Sequence, residues 1–576
     1  MRFVFRSFPG STKGSILEPI LELIRRSLRR SVHLSQLLAL VAVSCVAISG
    51  CAQAQMESSD RKQIAAGPYR IAGMVVNAKA GNPLAFCRVI LTDVGNRQSV
   101  QSVITGDDGR FEFHVPGGRY ALEGERRGFI AAFYNQHGQF SSAIATGTDL
   151  GAENLVLRLA PNASLSGNVL DEVGDPIRNA QIVVYREEHL QGVSRILPVR
   201  GASTDDQGHY EVTPLDEGTY FVSAKASPWY AIHPTSSGGL SSQADSSLDV
   251  AYPITYYGDV TEAESANPIP VRGGDRLEAD IHLNPVPALH LLVHVGENGP
   301  QAAVFPRLQK AAFDGPDQVE NAIAQSVGPG LYELTGVAAG HYTVRMPDSS
   351  GQLQEPTALD LSGNGELNLS SGRPTSKIKM AVRVEGASSL PAQLRIVLSS
   401  SQWKRSQALV DAKGVADFSD VIAGKYDVMA ESSTQTYSVV RIASESGSIS
   451  GHSLNVSPGA TLTIALSLVG GSVTVEGIAN RAGKAASGAM IVLVPKNLLE
   501  DRDRFRRDES NLDGSFDLKN VIPGSYTIIA IEDGWDLDWA VAGVLARYLQ
   551  HGQPIEVGSG SPTTMHLADA VEVQMK

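Results

Sequence analysis

Few residues of this chain combine side chains and spacing suited to chemistry. His294-Val295-Gly296-Glu297 has the H-x-x-E spacing of a zinc ligand pair. It continues an apolar run from Leu289 to Val295 and enters a turn at Gly296, and no second histidine lies in a matching context. Among 13 histidines such spacing arises by chance, so no metal or other cofactor is assigned. There is no G-x-S-x-G elbow, phosphate-binding loop or H-E-x-x-H helix, and no catalytic residue is assigned. The pairs Asp107-Asp108 and Asp205-Asp206 lack the alternating oxygen ligands of a calcium loop and read as turn formers. What remains is aromatic: Phe133-Tyr134, Trp229-Tyr230, Tyr252, Tyr256-Tyr257, and Trp535 with Trp539. Rings displayed on loops stack on the C–H faces of sugars while rim groups bond the hydroxyls. Trp535, Trp539, Trp229, Tyr230, Tyr256 and Tyr257 are therefore the candidate ligand-binding residues. The opposing reading is that these rings cap the ends of their domains. A helical turn over 533–541 would put Trp535 and Trp539 on one side.

The elements that position these rings follow from a repeat. Five times a glycine precedes a tyrosine by two residues: Gly118/Tyr120, Gly218/Tyr220, Gly340/Tyr342, Gly424/Tyr426 and Gly524/Tyr526. Another glycine precedes each: Gly109, Gly208, Gly330, Gly414 and Gly514, nine residues earlier in the first copy and ten in the others. The copies are spaced by 100, 122, 84 and 100 residues, the size of a small β-sandwich and far longer than a solenoid repeat. In the last copy Asn511-Leu512-Asp513-Gly514 is a turn, Ser515 to Leu518 alternates like a half-buried strand, Val521 to Gly524 turns again, and Tyr526 to Ile531 is an apolar strand. Each tyrosine is expected to act as a corner, its ring in the core and its hydroxyl on nearby backbone. Gly73 and Gly167, inside first strands, suggest bulges. Almost no helix is expected beyond the N-terminal segment and residues 497–507.

The order Gly-x-Val, Pro-Leu or Pro-Ile, Asp-x-x-Gly-x-Tyr/Phe and Pro-Gly-x-Tyr resembles the carboxypeptidase regulatory-like domain. The resemblance is strong over 69–160, 161–285 and 471–576, weaker over 377–470 and weakest over 286–376. It implies a transthyretin-like, starch-binding-like sandwich, and a binding or scaffolding role beside enzymes. The expected fold class is all-β, a tandem array of about five sandwiches: 69–160, 161–285 with an inserted loop, 286–376, 377–470 and 471–576. The joints at 159–162, 283–287, 370–374 and 469–471 are short, which predicts a string with limited bending.

The N-terminus sets the compartment. Arg25, Arg26, Arg29 and Arg30 precede an apolar stretch from Leu37 to Ile48, so residues 1–50 read as a signal peptide and 51–68 as a tether. Ile48-Ser49-Gly50-Cys51 resembles a bacterial lipobox, which implies lipidation of Cys51. Ala52 rather than aspartate after it implies the outer membrane. The alternative is cleavage after Ala54 and a soluble periplasmic or secreted protein. A net charge of −13, with seven basic and two acidic residues in the first 50, leaves an acidic remainder that nucleic acid would repel. Membrane contact is expected through the lipid alone. Of three cysteines only Cys87 falls within a sandwich, where it reads as buried, so no disulfide framework forms. The expected function is a non-catalytic cell-envelope binding or scaffolding protein, with polysaccharide or an envelope protein as partner. The alternatives are an accessory subunit of a peptidase or other secreted enzyme, and a spacer or adhesin stalk.

Overall fold

The computed structural model describes residues 62–576 except 149, 191, 236–245, 296–304, 346–356, 370–374, 387–388, 401–404, 434–435, 445–447, 451, 499–500, 542 and 559–562. Cys51 and the signal segment lie outside the described residues. The strands build five sandwiches in chain order. In the first, Arg110–Val115, Tyr69–Asn77 and Leu155–Leu159 form one sheet. Val100–Ile104, Arg88–Asp93 and Gly118–Glu125 form the centre of the other. The last strand of a unit returns parallel to its first: Leu155–Leu159 on Tyr69–Asn77, and Thr461–Gly470 on Ser376–Val384. In the fifth sandwich the final strand, Val571–Gln574, pairs with both Val473–Arg481 and Gly524–Ile531 and so links the two layers. Burial alternates strictly along Arg110–Val115 and Ser376–Val384, as one wet and one dry face requires. Each sandwich encloses its own apolar core.

The fixed glycine offset has a physical cause. The turn glycines Gly109, Gly208, Gly330, Gly414 and Gly514 all have φ between +63° and +80°, where a Cβ is strained. Each turn also presses on the first strand. The carbonyls of Gly109, Gly208, Gly330, Gly414 and Gly514 accept from Val75, Val169, Val295, Val382 and Ala479 at 2.7–2.9 Å. A Cβ on Gly514 would lie 2.5 Å from the Ala479 carbonyl oxygen. The aspartates beside these turns are structural. Asp205 Oδ1 accepts from the amides of Gln207 and His209, and Asp108 Oδ1 from that of Arg110.

All five tyrosines form the expected corner. The hydroxyls of Tyr120, Tyr220, Tyr342, Tyr426 and Tyr526 each donate to the carbonyl four residues earlier, on Pro116, Asp216, Ala338, Ile422 and Ile522, at 2.6–3.1 Å. The ring folds back over its own glycine: a Cβ on Gly340 would sit 3.3 Å from the Tyr342 ring.

Three expectations need correction. The first-strand glycines do not make bulges. Gly73, Gly167 and Gly477 pair directly with Phe111, Tyr210 and Phe516, with no register shift beside them. The aromatic ring of the partner lies across the glycine, and a Cβ on Gly477 would come within 2.5 Å of Phe516. The ring fills the space the missing side chain leaves. Among its described residues the charged stretch 497–507 holds only a 3₁₀ turn, Arg502–Arg504. Arg504 Nε bonds Asp501 and Ser438 of the fourth sandwich. Residues 533–541 likewise contain only the 3₁₀ turn Gly534–Asp536, so Trp535 and Trp539 share no helix face.

The chain is also not an open string. The fifth sandwich folds back onto the first. Arg119 Nη1 donates to both Asp517 carboxylate oxygens at 3.0 and 3.2 Å. The Ala143 amide donates to Asn511 Oδ1, and the Leu512 amide to the Ala143 carbonyl. The Glu509 carboxylate is 1% exposed and accepts from Ser142 Oγ at 2.8 Å and from His137 Nδ1 at 3.0 Å. This contact joins elements more than 360 residues apart in sequence.

Candidate functional site

The aromatic connections that follow each Gly-x-Tyr strand are the candidate site, and the structure sorts them. In the fifth sandwich the connection 532–550 covers the outer face of Met490–Pro495 and Gly524–Ile531. That second apolar face explains why both strands read as continuous apolar runs rather than alternating ones. Trp539 is 8% exposed, packed on Phe505 with the Arg507 guanidinium 4.8 Å from its ring centre. Gly192, at the tip of the second sandwich's long hairpin, also approaches the indole. The Ala540 amide bonds its carbonyl, and a Cβ there would lie 2.4 Å from the ring. Trp535 stacks on His137 of the first sandwich, 5.0 Å between centres and 5° from parallel, with Phe140 beside it. Neither indole is free to stack on a sugar. Both join sandwiches.

The second sandwich follows the same rule. Tyr256 is 1% exposed and lies with Tyr185 and Phe221 around Phe313, which belongs to the third sandwich. Tyr257 packs half-buried on the core of its own sandwich. Tyr134 packs on the first core, and Phe133 is partly exposed. His294 pairs with the Glu366 carboxylate on the adjacent strand, while Glu297 lies outside the described residues. Among the described residues no group of three or more His, Cys, Asp or Glu is arranged to hold a metal. Cys87 is buried and unpaired, and burial pushes its thiol up.

Among the described residues one indole remains displayed. Trp229 is 88% exposed at the tip of a turn closed by the Ala231 amide on the Pro228 carbonyl. Tyr230 meets it edge-on at 89°, with 5.7 Å between centres. The turn is fixed to the sandwich through Glu172. One of its carboxylate oxygens accepts from the Tyr230 hydroxyl, and the other from Tyr252 at 2.8 Å. Desolvation opposes the charge, but the Tyr230 and Tyr252 hydroxyls hold the Glu172 carboxyl below its usual range. Desolvation, with the bond to Glu172, pushes Tyr230 up to about 12. At neutral pH the turn therefore carries an anchored carboxylate and neutral phenols. The Ile232 amide on the Leu248 carbonyl holds its far end. The arrangement presents one exposed indole face on a turn anchored through the Glu172 carboxylate. Nothing in the local sequence distinguishes Trp229 from Trp535, because which connection meets a neighbouring sandwich depends on how the sandwiches stack.

No curated protein matches the chain. Among solved structures it is similar to the Bacillus anthracis TIE protein, at 12% identity over 69% of this chain and 73% of that one, with a TM-score of 0.17. It is also similar to the minor pilin GBS52 of Streptococcus agalactiae, at 13% identity over 38% of this chain and 97% of that one, with a TM-score of 0.21. The shaft pilin SpaA of Lactobacillus rhamnosus GG matches at 11% identity over 38% and 98%, with a TM-score of 0.18. Residues 70–140 match the family model of the carboxypeptidase regulatory-like domain. That segment spans the first glycine strand, the turn at Gly109 and the Tyr120 corner, and it identifies the first sandwich as a carboxypeptidase regulatory-like domain.

Proposed function

We propose that this chain is a non-catalytic binding and scaffolding protein of the bacterial cell envelope, with polysaccharide as its ligand at the Trp229–Tyr230 turn. The observation that carries the reading is the division of labour among the aromatic connections. Trp535, Trp539 and Tyr256 are spent on joining sandwiches, while Trp229 stands 88% exposed on an anchored turn. An anchored turn loses little backbone freedom on binding, and the Glu172 carboxylate retains lone pairs for sugar hydroxyls. The histidines and carboxylates best placed for chemistry are engaged in bonds between sandwiches, which fits a frame. Trp229→Ala should weaken glycan binding by about tenfold or more, equivalent to ~1.4 kcal/mol, and leave the melting temperature unchanged, because the ring supports no core. A glycan array with the parent chain and this variant checks it. A parent that binds no glycan, or a variant that binds like the parent, ends the reading.

A structural spacer is the second reading, favoured by the closure of the fifth sandwich on the first. Export is common to both. Among the described residues no helix is long and apolar enough to cross a membrane. An acylated Cys51 is the proposed anchor, at the outer membrane. Cys51→Ser is expected to release the chain from the membrane fraction or leave its precursor uncleaved. Mass spectrometry of the mature N-terminus checks this, and an unmodified N-terminus at Gln55 would refute it.

A further inference from the structure

Two histidines and two carboxylates form a continuous chain where the second and third sandwiches meet. His233 and Asp249 lie in the insertion of the second sandwich. His290 is on the first strand of the third, Leu289–His294, and Glu333 is on its neighbour, Leu331–Val337. His233 Nδ1 lies 2.8 Å from Asp249 Oδ1, Asp249 Oδ2 lies 2.7 Å from His290 Nε2, and His290 Nδ1 lies 3.2 Å from Glu333 Oε1. Their side chains are 11%, 15%, 16% and 1% exposed in that order. The backbone between the two sandwiches here is a short ladder, Val250 and Ala251 on Pro287 and Val286, with the Ala288 amide on the Asp249 carbonyl.

The protons can be counted from the geometry. Both ring nitrogens of His290 face carboxylate oxygens, and each contact needs one hydrogen between nitrogen and oxygen. A neutral imidazole carries only one. The chain closes only if it holds a proton beyond that, and with both carboxylates ionised that makes His290 an imidazolium between Asp249 and Glu333. Removing the proton leaves a ring lone pair facing a carboxylate oxygen. If that carboxylate is Glu333, it has almost no access to water.

We propose that the chain His233–Asp249–His290–Glu333 is a pH-sensitive latch between the second and third sandwiches, closed while His290 is an imidazolium and loosened when that proton leaves. Burial works against the charge. Hydrogen bonds and charge from Asp249 and Glu333 outweigh it and raise the histidine above its ordinary value. A raised folded-state value means the stabilisation is fully present below the unfolded histidine value of about 6.5 and is lost as pH rises through the folded one. Asp249 and Glu333 are the charged groups facing His290, and His233 faces Asp249. His294 and Glu366 pair further along the same sheet. Lys310 and Glu320 lie at the other sheet of the third sandwich, with Lys225 of the second sandwich beside them. The rings around Phe313 and the Lys310–Glu262 pair are separate contacts, so loosening is local to residues 249–251 and 286–290. The latch does not depend on the ligand reading.

Hydrogen exchange of the full mature chain between pH 5.5 and 8.5, corrected for intrinsic rates, tests it. Protection in peptides covering 249–251 and 286–290 should fall with rising pH, by about tenfold for each unit by which the folded value of His290 exceeds the unfolded one. His290→Gln cannot hold the extra proton, so low protection at all pH values is expected. His341→Gln, on an exposed histidine of the same sandwich, should keep the fall. Should His290→Gln fail to fold, Asp249→Asn is expected to move the midpoint to lower pH. Protection independent of pH in the parent, a fall that survives His290→Gln, or an unmoved midpoint in Asp249→Asn would each overturn the latch.

Discussion

Tyr526→Ala is expected to destabilise the fifth sandwich by about 3–5 kcal/mol. The ring is 3% exposed and its hydroxyl donates to the Ile522 carbonyl at 2.6 Å, so the mutation removes core volume and leaves a carbonyl without its donor. For a domain of roughly a hundred residues this moves the calorimetric transition down on the order of 20 °C. Tyr526→Phe separates the two contributions. It keeps the ring and loses only the hydroxyl bond, about 1 kcal/mol. Burial already pushes the Tyr526 phenol up to about 12, against the pull of Arg504 and Arg506, so it stays a neutral donor across the stable pH range. A Tyr526→Ala chain that melts like the parent would remove the corner as the reason for the repeat.

Glu509→Lys is expected to open the closure between the first and fifth sandwiches. The carboxylate is 1% exposed and is held by Ser142 and His137 of the first sandwich. Breaking a buried polar network of this kind costs about 3–5 kcal/mol, and an ammonium in the carboxylate's place is stripped of most of its hydration. Each sandwich keeps its own core, so circular dichroism stays β while small-angle scattering shows a longer particle. Trp535 loses its stack on His137, and its fluorescence shifts toward that of exposed indole. Scattering curves that superimpose for parent and variant would show that the closure does not hold the shape in solution.

The turn glycines, the tyrosine corners and the alternating strands are all legible in the amino-acid sequence, because each is a local demand. A positive φ needs glycine wherever the turn occurs, and a tyrosine four residues past a carbonyl reaches it by its own geometry. The first-strand glycines are legible as special, but a bulge is the wrong reason for them. Gly73 and Gly477 make room for Phe111 and Phe516, residues that sequence places far away and only the sheet register brings opposite.

The sequence by itself determined the all-β repeat, the burial of Cys87 and the list of aromatic connections. It left open what those aromatics do. Trp229 and Trp539 have the same chemistry and lie in comparable connections, yet one is 88% and the other 8% exposed. The difference lies in Gly192 and Arg507, one of them almost 350 residues away in the chain, and in the fold that returns the fifth sandwich to the first two. Local pattern encodes the energy of a strand or a turn, which depends on neighbours in sequence. Contacts between sandwiches depend on surfaces that exist only once each sandwich has formed, so the tertiary structure alone decided which rings join the frame and which one faces solvent.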